Sequence, residues 1–226
     1  MLREVVLDTE TTGLDPYSGH RIIEIGAVEL INHVPTGCEY QVYINPERDV
    51  PADATAISGI TTEFLVGKPL FADVVDDFLN FISDSSLVIH NAAFDIKFLN
   101  FELDLVEKPQ IEPSRAIDTL FIARKQFPGA PASLDALCNR FSIDTSARVK
   151  HGAVIDCKLL GEVYLNLIGG RQTKLAFSDK ESSTLSTKTK REFAEPRAYL
   201  PSEEEVKLHK EFLKKLESPI WLDYLA

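Results

Sequence analysis

The sequence predicts an α/β domain over residues 1–170, followed by a C-terminal extension of different character. Three observations carry this. Strand-like apolar runs fill much of the first 45 positions. Helical periodicity begins only after residue 70 and is interrupted by one short apolar strand. Beyond Gly169-Gly170 the composition turns polar and repetitive.

The first strand is expected at 3–8, the second at 21–31 (R-I-I-E-I-G-A-V-E-L-I) and the third at 39–45 (E-Y-Q-V-Y-I-N). All three are rich in β-branched and aromatic residues, and consecutive strands of this kind pair as a meander. A helix follows at 71–83, where Phe71, Val74, Val75, Phe78, Leu79 and Ile82 recur at helical spacing. Leu87-Val-Ile-His90 reads as a short buried strand, and a helix is expected from 94 to 102. Helical patterns at 116–125 and 133–140 come next, the second with Ser133 as a suitable N-cap. A long amphipathic helix spans 153–168, stopped by the glycine pair.

With 44% apolar and 26% charged residues the chain has ample material for a core. Cys38, Cys138 and Cys157 show no C-x-x-C spacing, which fits buried thiols in a reducing compartment. No stretch approaches the ~20 apolar residues a membrane span needs, and Met1–Val6 runs straight into a strand without room for a signal peptide. A cytoplasmic protein that does not enter membranes is expected. Residues 1–170 hold 13 basic and 25 acidic side chains, net −12, whereas 171–226 hold 11 and 10, net +1. Such acidity argues against coating nucleic acid through a broad basic surface. It leaves room for a site where bound cations meet phosphates.

Residues 5–13, V-V-L-D-T-E-T-T-G, place Asp8 and Glu10 one residue apart on a strand, hence on one face. Their mutual repulsion calls for a positive charge between them. I-H-N-A-A-F-D (89–95) puts Asp95 just past a buried strand, and H-G-A-V-I-D (151–156) opens the last long helix with His151 and Asp156. Five residues turn an ideal helix by about 140°. For those two to cooperate, His151 must sit on the loop before the helix, with Gly152 permitting the bend.

Taken in order, D-x-E-T-T-G, H-N-A-x-F-D and H-G-A-x-x-D resemble the three motifs of the DEDDh family of 3′→5′ exonucleases, whose fold is ribonuclease H-like. I-I-E-I-G-A-V, S-L-D-A-L-C and E-V-Y-L extend the resemblance over roughly residues 3–177. It is strongest to the proofreading branch that serves bacterial DNA polymerase III. The resemblance implies a mixed five-stranded sheet flanked by helices, with the acidic ligands at Asp8, Glu10, Asp95 and Asp156 and the general base at His151. It implies two divalent cations, Mg²⁺ or Mn²⁺, with Asp8 bridging them. Glu10 and Asp156 would complete one coordination sphere, and Asp95 would hold the other ion through waters. An all-carboxylate site suits hard cations, and two such ions can clamp an in-line phosphoryl displacement.

Thr11, Thr12 and Gly13 form a turn able to meet the terminal nucleotide. Phe94 can stack on a base or pack in the core. Ile57, Ser58 and Gly59 align with the segment that lines the 3′-nucleotide pocket in relatives. His90 reads as structural, and His20, His33 and His209 carry no signal.

Residues 172–177, Q-T-K-L-A-F, resemble the motif by which replication proteins dock on the sliding clamp, with Gln172, Leu175 and Phe177 as anchors. The polar stretch 178–191 reads as part of a flexible linker running to residue 200. A short amphipathic helix is expected at 202–217. The resemblance implies that the tail 201–226 binds the polymerase III catalytic subunit, with Phe212, Leu213, Leu216, Trp221 and Tyr224 as candidate anchors. An acidic nuclease domain binds DNA weakly alone, so tethering would raise its local substrate concentration. The expected activity is removal of mismatched nucleotides from single-stranded 3′ ends of DNA. Two alternatives share the motifs: an RNA-trimming exonuclease, and a non-catalytic adaptor between clamp and polymerase. A D-x-D-x-T phosphatase fits less well, because Glu10 stands at its second aspartate.

Overall fold

A computed structural model describes residues 2–146, 148, 151–169 and 200–216. The first of two compact units, Met1–Ala176, contains five strands and seven α-helices among its described residues. The strands are β1 (Arg3–Thr11), β2 (Ile22–Ile31), β3 (Val34–Tyr43), β4 (Ser86–Ile89) and β5 (Ala116–Asp118). The helices are α1 (Ala52–Ser58), α2 (Thr62–Leu65), α3 (Phe71–Ile82), α4 (Ala92–Leu105), α5 (Thr119–Gln126), α6 (Leu134–Phe141) and α7 (Ala153–Leu167). The second unit, Phe177–Ala226, contains α8 (Glu203–Leu213), which begins in a capping box between Ser202 and Glu205. This lies within the helix expected at 202–217. Gln172, Leu175, Phe177, the linker to residue 199, Trp221 and Tyr224 lie outside the described residues.

The sheet order is β3-β2-β1-β4-β5. β1 and β2 pair antiparallel, as do β2 and β3, which is the expected meander. β1–β4 and β4–β5 are parallel, so the sheet is mixed, as a ribonuclease H-like fold requires. The fifth strand corrects the reading of 116–125 as helix throughout. Ala116–Asp118 extends beside β4 and the helix starts only at Thr119, because Asp118 caps it, accepting from Leu120 N and Phe121 N. Three residues are too few to show a period of two. β3 starts five residues earlier than expected. Its first half (V-P-T-G-C) is exposed at the sheet edge, where proline is tolerated and alternation is lost.

Period-two alternation assigns each face. Val5, Leu7, Ile22 and Ile25 pack with Phe71 and Phe78 of α3 and Phe98, Leu99 and Leu103 of α4. Val6, Val28, Leu30 and Val88 pack with Cys157, Leu160 and Tyr164 of α7. Behind α7, Ala123, Leu137, Cys138, Leu159, Val163 and Leu167 form a third layer with α5 and α6. Each fully buried side chain of this kind contributes roughly 1.5–3 kcal/mol. The α7 face also carries Glu4, at the end of the sheet remote from Asp8. It accepts from Tyr164 Oη (2.7 Å) and pairs with His33 Nδ1 (2.6 Å), a structural place for a histidine that carried no sequence signal.

Candidate active site

Asp8 and Glu10 do share a face. They continue the Glu4, Val6 series along β1 and so point toward α7, opposite Gly26 and Glu24 of β2. Gly26 decides what can lie above them. A Cβ there would stand 2.4 Å from Ala153 C and 2.5 Å from Val154 N, so only glycine lets the first turn of α7 rest on the sheet. That contact brings buried Asp156 over the strand end.

His151 lies on the loop before α7, as its spacing from Asp156 demanded, with Nδ1 3.1 Å from Asp156 Oδ2. Gly152 is not needed for a bend. It is an extended N-cap (φ −158°, ψ 125°), and a Cβ there would meet only Ile155 Cδ1, at 4.0 Å.

Asp95 reaches the site from the other side of the sheet. It sits in the first turn of α4, 3% exposed, and its Oδ1 accepts from Thr9 N (3.1 Å) and Thr9 Oγ1 (2.7 Å). The tight β4–α4 connection that puts it there is Asn91 in the left-handed region (φ 67°), which asparagine tolerates, with its N–H donated to Asp118. The parallel interior strands β1 and β4 thus bring Asp8, Glu10 and Asp95 to their carboxyl ends, where ligands of α/β sheets gather.

This packing perturbs the carboxyls. Burial, then the charges of Asp95, Glu10, Asp156 and Glu24, push Asp8 well up. Burial, then Glu24, Asp156 and Asp95, raise Glu10 to about 8, opposed by Arg148. Burial raises Asp95 to about 7 against the lowering by its Thr9 bonds. Ligand atoms of Glu10, His151 and Asp156 all lie within 4.8 Å of one another. Crowded, desolvated oxygen donors that resist ionising together fit divalent cations, which would be held by Asp8, Glu10, Asp95 and Asp156.

A pH dependence follows. Protonated Glu10 and Asp95 favour the fold below about pH 4, and that stability is lost as pH rises through about 7 to 8. In EDTA the melting temperature of the nuclease unit should fall between pH 5 and 8. Mg²⁺ or Mn²⁺ should restore it, most at pH 8. A flat profile in EDTA would contradict the crowding.

Three participants gave no usable sequence signal. Arg148, with a side chain only 7% exposed, pairs with Asp156 through Nε (2.5 Å to Oδ1) and a terminal nitrogen (2.6 Å to Oδ2). The same terminal nitrogen lies 2.7 Å from His151 Nδ1, and the other bonds Asp135. A lone loop arginine has no period or partner to mark it; its place three residues before His151 was the one hint. Glu24 is 1% exposed, accepts from Ala153 N (3.2 Å) and Gln41 Nε2 (2.7 Å), and so pins the start of α7 to β2. His20 contacts Thr12 Oγ1 (3.2 Å), and its ring would meet any Cβ on Gly13 at 2.3 Å.

Two clefts flank the carboxylates, one reaching Glu10 and the other Asp8 and Asp156. One, of about 650 Å³, is lined by Glu10, Thr11, Thr12, Gly13, Ile57 and Phe94 together with His20. The other, of about 630 Å³, is lined by Asp8, His90, Arg148, His151 and Asp156. Of the expected nucleotide-contacting residues, Ser58 is not in the lining. Its hydroxyl donates to Ala54 O (3.0 Å) and accepts from Ile60 N (3.2 Å), closing α1 before Gly59. Thr12 is nearly buried and holds the Arg21 N–H, while Thr11 Oγ1 donates to Gly13 O. Phe94 lines the first cleft and packs on Phe98 (centroids 5.0 Å apart). His90 lines the second cleft, with Nδ1 2.9 Å from Thr119 Oγ1, and burial lowers its pKa.

The family profile described as exonuclease matches residues 5–164. The DNA polymerase III subunit epsilon of Rickettsia felis is 54% identical over 222 residues, covering 95% of this chain and 97% of that protein. The subunit of the same name from Escherichia coli is 42% identical over 236 residues, covering 97% of each. Among solved structures, the nuclease domain of 3′hExo, a DEDDh family member bound to rAMP, superposes with a TM-score of 0.64. It is 20% identical and covers 74% of this chain and 92% of that one; the likeness shows a shared fold. With the motif residues gathered at the carboxyl ends of β1 and β4, these matches show that the chain belongs to the exonuclease family, as a 3′→5′ exonuclease of the DNA polymerase III epsilon group.

Proposed function

We propose that this chain removes mismatched 3′-terminal nucleotides from DNA during bacterial replication, releasing nucleoside 5′-monophosphates by two-metal hydrolysis. The observation that carries this is the convergence of Asp8, Glu10, Asp95 and Asp156, from β1, α4 and α7, beside His151. Bound cations would neutralise the carboxylates, activate a water and stabilise the departing 3′ oxygen. The protein's own share is positional. His151, 44% exposed on its loop, can take the proton of an attacking water. The cleft of Thr11, Gly13, Ile57 and Phe94 can hold the terminal nucleoside, with an aromatic face for its base.

The near-complete match to epsilon subunits supports a place in a cytoplasmic replicase, with Gln172, Leu175 and Phe177 on the sliding clamp and Trp221 on the polymerase III catalytic subunit. Among the described residues no helix is long and apolar enough to cross a membrane. Alanine at Leu175 and Phe177 should abolish clamp binding in a pull-down while leaving hydrolysis of free single-stranded DNA unchanged.

The decisive experiment compares a 3′-mismatched DNA primer with RNA of equal length, in Mg²⁺, in Mn²⁺ and in EDTA. Metal-dependent loss from the DNA 3′ end, faster than from RNA, supports proofreading. Faster RNA trimming assigns the chain to RNA processing. No cleavage of either by folded protein leaves the adaptor reading.

A further inference from the structure

We propose that Arg148 is a resident counter-cation that competes with the metal for Asp156 and, while it does so, keeps His151 from acting as a base. This rests on the metal-site reading above. The guanidinium donates to Asp156 Oδ2 and stands in charge contact with Oδ1; Asp156 is one of the three residues whose ligand atoms cluster within 4.8 Å. It also bonds Asp135, which belongs to α6 and is outside the ligand set. Only Oδ2 accepts a hydrogen bond from the guanidinium, while Oδ1 and Arg148 Nε are left without hydrogen-bond partners, so a cation drawn to Oδ1 meets the guanidinium charge beside it and loosens it. The cost of that step lowers metal affinity, because two positive charges cannot share one buried carboxylate at full strength.

The contact with His151 adds a second consequence. A neutral imidazole has one acceptor nitrogen. Arg148, which can only donate, engages that acceptor at Nδ1, 2.7 Å away. The ring proton then sits on Nε2, and no lone pair remains for the proton of an attacking water. Release of Arg148 lets the ring give its Nε2 proton to water and take one at Nδ1, which then donates to Asp156 Oδ2, 3.1 Å away, and leaves Nε2 with its lone pair. Metal loading and base availability are thereby coupled through one side chain, and Arg148 is a positioning residue rather than a catalytic one.

The test is Mn²⁺ affinity of the full chain without nucleic acid, read by the free-Mn²⁺ electron paramagnetic resonance signal. Arg148→Gln should bind Mn²⁺ about tenfold more tightly, within the usual range of site coupling, and melt lower than wild type in EDTA. Arg148→Lys, keeping the charge, should stay near wild type. A purely structural arginine would give weaker binding when replaced, and equal or weaker binding by a folded Arg148→Gln overturns the proposal. Should that variant fail to fold, the wild type suffices: the Arg148 Nε–H resonance, visible in EDTA, should shift as Mg²⁺ is added, and an unmoved resonance at saturating Mg²⁺ overturns the proposal. Absence of any saturable Mn²⁺ binding, in wild type and Asp8→Asn alike, overturns the metal-site reading itself and this inference with it.

Discussion

Asp8→Asn is expected to abolish hydrolysis while raising the melting temperature of the metal-free protein. Asp8 faces Glu10, Asp95, Asp156 and Glu24, and each of these charges adds to burial in pushing its carboxyl up. With the cations absent its ionised form is therefore repelled from every side, and asparagine removes that repulsion at nearly constant volume. With cations present the same charge is what holds them. Metal-assisted charge stabilisation is worth several kcal/mol, and each 1.36 kcal/mol is a factor of ten in rate, so a loss of about 10³-fold or more is expected. In a domain of this size each kcal/mol of stability moves the midpoint by roughly 2–4 °C. Primer hydrolysis and thermal melting in EDTA check both halves. An inactive variant that melts lower would make Asp8 a structural residue. An active one would remove it from the centre.

Gly26→Ala is the second large effect, at a position that touches no substrate. Its Cβ would meet backbone atoms of Ala153 and Val154 at 2.4 and 2.5 Å, so α7 must retreat by about 1 Å to reach ordinary contact. Two bonds resist that shift, Ala153 N to Glu24 and Cys157 Sγ to Gly26 O (3.3 Å), and the placement of Asp156 by the first turn suffers from it. Overpacking of this kind costs about 1–3 kcal/mol. An ångström of misplacement at catalytic groups costs about 10²-fold in rate. Gly152→Ala is the matched control, since its Cβ meets only Ile155 Cδ1, at an ordinary 4.0 Å, and it should fold and melt like wild type. Melting and kcat on a DNA primer distinguish the two. Near-wild-type kcat in Gly26→Ala would mean that α7 does not set the geometry of Asp156.

The two large effects differ in how legible they were. Asp8 and Glu10 share a face because a strand of period two must put both on one side, and the other two motifs give that crowding a chemical meaning. Asp95, Asp156 and His151 were legible through motif order, and the loop position of His151 through helical geometry alone. The short β5 and the early half of β3 were not. Three residues carry no period, and an exposed edge strand has no buried face to enforce one. Ser58 could not be read from the sequence alone: its hydroxyl is spent on its own helix end.

By itself the sequence determined the α/β class, the acidic centre and the residue types of a metal-dependent nuclease, because periodicity, charge crowding and motif order are properties of the chain alone. Tertiary structure decided which neighbours those residues have. Glu24 as the pin of α7, Gly26 as the gap beneath it, and Arg148 across Asp156 and His151 lie 129, 127 and 8 residues from their partners Ala153, Ala153 and Asp156. None belongs to a local repeat, and their chemistry exists only where packing of α7 against the sheet brings desolvated charges together.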